Sequence, residues 1–230
     1  MRRRARALLA LALTLSLATA GCTRPETTPA PEATMTASTD QDLLAAANTG
    51  DPTTVRAALA AGADIEARDA RRRTPLLLAA ANDHVEAARI LVEAGADPDA
   101  LDDQHDTPWL VTGVTGSVAM LEVLLPAKPD LTIVNRYGGI SVIPASERGH
   151  VDYVRRVVRT GIDVNHVNNL GWTALLECVI LGDGSRPYQE IAEILVAAGA
   201  RVQQPDRDGV DALEHARQRG YAEIVAILSR

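Results

Sequence analysis

Apolar residues in this chain recur at helical spacing in short runs, and each run is broken by a polar turn. From Thr74 the chain reads TPLLLAAANDHVEAARILVEAGADPDALD. Leu76, Ala79 and Ala80 share one helical face, and Ala88, Leu91 and Val92 share a face of a second run. Thr74 is placed to cap the first run by accepting from backbone N–H groups, and Pro75 suits the first helical position, where no donor is needed. Asn82 to His84 separates the two runs, and Gly95 supplies the left-handed residue that ends the second. The pattern predicts a helix–turn–helix unit whose small Ala side chains let neighbouring helices approach closely.

The unit repeats. Thr74-Pro75 returns 33 residues on as Thr107-Pro108, and Gly62-Ala63-Asp64 returns at the same spacing as Gly95-Ala96-Asp97. These residues resemble the ankyrin repeat, which implies an all-α solenoid of stacked helix–turn–helix units joined by short hairpin-like fingers. About six units fit residues 40–230. The first opens at Asp40, a candidate N-cap, with helices over 43–48 and 53–61. The third keeps Thr107-Pro108, but Gly113 and Gly116 predict looser packing. The fourth has Ile140-Ser141 in place of Thr-Pro, and Pro144 predicts a first helix that starts late or is distorted. The fifth carries five surplus residues, Gly184 to Tyr188, read as an irregular extension forming a lip beside the array. The last is expected to stop within its second helix, with Arg217, Gln218 and Arg219 facing solvent as a cap. Ankyrin repeats commonly carry a bridging His after the Leu of the TPL motif. Here Leu77, Leu110, Ile143, Leu176 and Glu214 stand there, so apolar packing is expected to replace those bridges.

The first 22 residues read differently: a basic start, an apolar run from Ala7 to about Ala20, then Thr19-Ala20-Gly21-Cys22. The run falls short of the roughly 20 residues that span a bilayer. It has the form of a secretory signal over residues 1–21, and its end resembles a bacterial lipobox, which implies cleavage before Cys22 and lipidation of that Cys. Residues 23–38 are rich in Thr, Pro, Ala and Glu without apolar period and read as a disordered tether. The expected location is extracytoplasmic, held to a bacterial membrane through the lipid alone.

Composition narrows the function. Aromatics make up only 3% of the chain and Phe is absent, which leaves little for base stacking. The formal net charge is −7, and four of the arginines lie in the signal, so the body is expected to repel nucleic acid. Asp102, Asp103, His105 and Asp106 have ligand chemistry but fall at a finger tip, where solvation accounts for them, so no metal or other cofactor is expected. Gly182-Asp183-Gly184-Ser185-Arg186 lacks the Gly-Lys-Ser/Thr ending of a phosphate loop. Cys178 falls at a small core position with no base beside it, and His84 and His150 sit in inter-helix turns with structural roles. No enzyme and no small-molecule substrate are expected.

What remains is a surface. In the ankyrin family partners lie along the finger tips and the exposed ends of the first helices, which by repeat phase implies a protein-binding face here. On the fingers it comprises Arg71 and Arg73, Gln104 and Asp106, Arg136 and Tyr137, then Asn169, Leu170 and Trp172. From the helix ends come Arg148 and Leu181. Trp109 is placed in the core, whereas Trp172 is placed on the exposed finger as the leading contact candidate. The expected function is a monomeric, membrane-anchored scaffold for a protein partner. An immunity protein or inhibitor of an exported hydrolase or toxin is the alternative.

Overall fold

The computed structural model describes the backbone of residues 31–230 and the side chains from residue 38 on. The signal, Cys22 and the start of the tether lie outside the described residues. Within them the chain forms six consecutive helix pairs: α1 (Pro31–Thr49) with α2 (Pro52–Ala60), α3 (Pro75–Ala81) with α4 (Val85–Glu93), and α5 (Pro108–Thr115) with α6 (Val118–Leu124). Then come α7 (Val142–Glu147) with α8 (Val151–Val157), α9 (Ala174–Ile180) with α10 (Arg186–Ala197), and α11 (Ala212–Gln218) with α12 (Ala222–Leu228). Among the described residues there is no strand.

Each first helix packs on the first helix of the next pair, and each second helix on the next second helix, giving two parallel rows with one continuous core from Leu43 to Leu228. The caps follow the repeat phase. Thr74, Thr107 and Thr173 each accept from the backbone N–H three residues on, at 3.2, 3.1 and 3.3 Å, and Asp211 does the same at 2.8 Å. Trp109 is buried as expected, and so are Leu77, Leu110, Ile143 and Leu176.

Polar bridges between units nevertheless exist, supplied from a different place. The His84 ring bonds the Asn48 carbonyl and the His150 ring the Val114 carbonyl, both at 3.1 Å, while Tyr188 and Tyr221 donate to the carbonyls of Glu147 and Gly182 at 3.0 Å. All four reach back to the end of the preceding first helix. Gly116, at φ +72, makes room for this: a Cβ there would meet the His150 ring at 2.4 Å.

Three expectations need correction. The helix of the first unit starts at Pro31, ahead of the expected residue 43, and Asp40 does not cap it. Once a helix is nucleated each further residue adds a bond, and the Ala/Thr/Glu stretch offers nothing to stop it but Pro31, which suits a first turn. Asp40 instead accepts the Asp64 N–H at 2.7 Å. The insertion is not a lip either, because Arg186, Pro187 and Tyr188 form the first turn of a lengthened α10 and Tyr188 folds back onto the previous unit. Gly113 is not a point of looseness but of close contact with Ser141.

Pro144 acts as anticipated in one respect: α7 begins at Val142, one position later in phase than its counterparts. It removes the bond that Leu78, Val111 and Glu177 donate to the cap carbonyl four residues back, and the Ile143 N–H takes the Ile140 carbonyl in its place at 3.0 Å.

Candidate binding groove

Every finger is held by one side-chain oxygen. Oδ1 of Asp69, Asp102, Asn135, Asn168 and Asp206 accepts the backbone N–H groups two and four residues on, at distances between 2.7 and 3.0 Å. This closes the same turn five times with no strand pairing. Neighbouring fingers are tied by Asp103 N–H to the Arg71 carbonyl at 3.1 Å and Asn169 N–H to the Tyr137 carbonyl at 2.9 Å. The fingers are therefore rigid mounts, and what they present is fixed by the fold.

Between the third, fourth and fifth units they enclose a groove of about 480 Å³. Its apolar rim is Val114, Tyr137, Leu170 and Leu181, with exposures of 38%, 58%, 52% and 48%. Ile143 and Pro144 of α7 line it from below. The expected contact residues Asp106, Arg136, Tyr137, Arg148, Leu170 and Leu181 all converge here. Arg136 stacks its guanidinium 4.6 Å from the Tyr137 ring and pairs with Asp106 at 3.8 Å. Burial and the neighbouring Asp102 push the Asp106 carboxyl above its usual range against the pull of Arg136.

Five expected contact residues do not line this groove. Arg71 and Gln104 are exposed on earlier fingers, and Asn169 braces its own finger against Arg136. Arg73 is spent on Asp69, which it holds through Nε at 2.8 Å and its terminal nitrogen at 2.7 Å. Trp172 is half-buried against the core, not exposed. The turn dictates this, because the fourth residue after each finger Asp or Asn is drawn inward by its N–H bond, as Arg73, Asp106 and Val210 also are.

One groove residue was not anticipated. Glu177 of α9 is 5% exposed and lines the groove floor, where its Oε1 accepts from Asn168 Nδ2 at 2.7 Å. Burial pushes its carboxyl up to about 7, and repulsion from Glu147 adds to this, while the Asn168 bond opposes it. A signal was present in the repeat phase: Leu78, Val111 and Pro144 hold the equivalent positions, so an acid there breaks an apolar column. Cys178, beside it, is buried and unpaired with its thiol pushed up to about 12, a packing group without nucleophilic character.

A helical-repeat scaffold that presents an apolar groove on fixed fingers has the form of a binding protein. The chain is a member of the ankyrin repeat family. A profile of three ankyrin repeats matches residues 43–135. The chain is 38% identical to the ankyrin repeat protein YahD of Escherichia coli (strain K12), over 81% of its own length and 94% of the relative. Among solved structures, an ankyrin repeat domain from Acinetobacter baumannii AYE superposes with a TM-score of 0.79 at 45% identity, covering 81% of this chain and 95% of that one. The ankyrin repeat protein EF0377 gives 0.80 at 36% identity, covering 83% and 98%. Ankyrin repeat proteins are generally non-enzymatic scaffolds for other proteins.

Proposed function

We propose that this protein is a membrane-anchored, extracytoplasmic scaffold that holds a protein partner in the groove between Tyr137 and Leu181. The observation that carries the reading is the cluster of exposed apolar side chains around one groove on rigid mounts, since apolar surface is left in water on such a scaffold chiefly where a partner covers it. Leu170, on the rim and half exposed, touches little that the fold depends on.

Leu170→Asp therefore leaves helicity and thermal midpoint near wild type. A photo-crosslinker at position 181 traps a partner in cells that carry the wild-type chain and none in cells that carry Leu170→Asp. Equal trapping in both would remove the groove from the binding face. The anchor has its own test: Cys22→Ser shifts the protein from the membrane fraction to the soluble fraction, and an unchanged partition would refute lipidation.

A further inference from the structure

Position 177 belongs to a column whose members answer to the finger residue nine positions before them. Leu78, Val111 and Pro144 are apolar, but Glu177 faces Asn168 and His215 faces Asp206, whose Oδ2 lies 2.7 Å from its ring. The acid meets an amide and the base meets an acid. His215 with Asp206 is thus a closed pair, whereas Glu177 has only a neutral partner. Bracing the finger does not explain it, because a glutamine would accept the same bond without a burden of charge.

The charged groups around Glu177 do not neutralise it. From α7, Glu147 adds a second negative charge. Asp106 and Arg136 of the groove are paired with each other. From α10 the facing titratable group is the Tyr188 phenol, bonded to the Glu147 carbonyl, and from α11 His215 is held by Asp206. Arg148 stands exposed at the rim, without an ion pair among the described residues. A carboxylate kept out of water costs several kcal/mol unless a cation meets it. Beside exposed apolar side chains, such a group marks where a partner's cation enters.

We infer that the groove takes a segment of the partner that sets one lysine or arginine side chain against Glu177 and Glu147, with apolar neighbours over Tyr137, Leu170 and Leu181. This rests on the groove being the partner face. The two rim arginines, Arg136 and Arg148, repel a segment of dense positive charge, so the fit is one cation in an apolar or acidic setting. In the free groove Glu177 takes up its full charge only above about pH 7, and the cation displaces the remaining proton.

The probe is a phage-displayed library of random short peptides, selected at pH 8 on the full chain in detergent, with the enriched sequences resynthesised for calorimetric titration. The expected consensus is a single Lys or Arg between apolar residues. Its affinity falls about tenfold or more in Glu177→Gln, falls in Glu147→Gln, and rises from pH 6 to pH 8 in wild type only. Peptides lost on Leu170→Asp but indifferent to Glu177→Gln, or lacking a shared cation, would overturn the inference and leave the scaffold reading standing. No enriched peptide, or peptides unmoved by Leu170→Asp, would overturn both. Self-association of the chain that Leu170→Asp abolishes would assign the groove to a second copy, and overturn the inference too.

Discussion

Glu177→Gln is expected to stabilise the protein by about 3 kcal/mol at pH 8 and to leave its stability unchanged at pH 4. The direction follows from where the proton sits. In the folded chain the carboxyl is pushed up to about 7, whereas in the unfolded chain it returns to its ordinary 4.5. Between those values the folded state holds a proton that the unfolded state has released, so stability is complete below about pH 4.5 and is lost as pH rises through 7. Glutamine keeps an oxygen for Asn168 Nδ2, removes the buried charge and ends the repulsion from Glu147. Denaturant unfolding of both proteins across this range checks it: the wild-type curve falls with pH, and the variant's lacks that component. Parallel curves would show that Glu177 reaches water freely. The same substitution weakens binding under the cation inference, so this residue trades stability for a site.

Much of the fold was legible because it is local and periodic. The Thr caps, the Gly stops and the apolar faces at 33-residue spacing each depend on a few neighbouring residues, and the structure places all of them as read. The departures have a common physical cause. Whether 186–188 is a loop or a helical turn depends on Tyr188 finding the Glu147 carbonyl across the unit boundary. Whether Trp172 faces water depends on the finger turn drawing its backbone inward. Glu177 is a site residue only because Pro144 and Glu147 of one unit and Asn168 of the next converge on it. Six groove residues could be named because the ankyrin resemblance supplies the partner face and the repeat phase assigns finger and helix-end residues to it. For the floor the phase shows only an acid in an apolar column; that Glu177 faces the groove depends on two units meeting there.

Gly113 shows the same dependence on neighbours, and Gly113→Ala carries the second large expected effect. Within an isolated helix the change would help, since alanine is favoured over glycine by about 1 kcal/mol. Here the added Cβ would lie 1.9 Å from the Ser141 carbonyl oxygen and 2.7 Å from its carbon. These are backbone atoms at the start of α7, so no side chain can swing aside and α5 must separate from α7. Overpacking of this kind costs about 1–3 kcal/mol, and a backbone obstacle puts it at the upper end. After the helical gain is subtracted, a net loss of about 2 kcal/mol lowers the thermal midpoint by about 5 °C. Because each unit touches only its neighbours, the damage stays at the junction of the third and fourth units and the two halves lose cooperativity. Scanning calorimetry should show a lowered and broadened or split transition. Gly139→Ala is the control, with nothing nearer than 3.6 Å to its Cβ and an unchanged midpoint expected. If Gly113→Ala melted like that control, the two first helices would not be in the close register described, and the groove that spans them would lose its fixed shape.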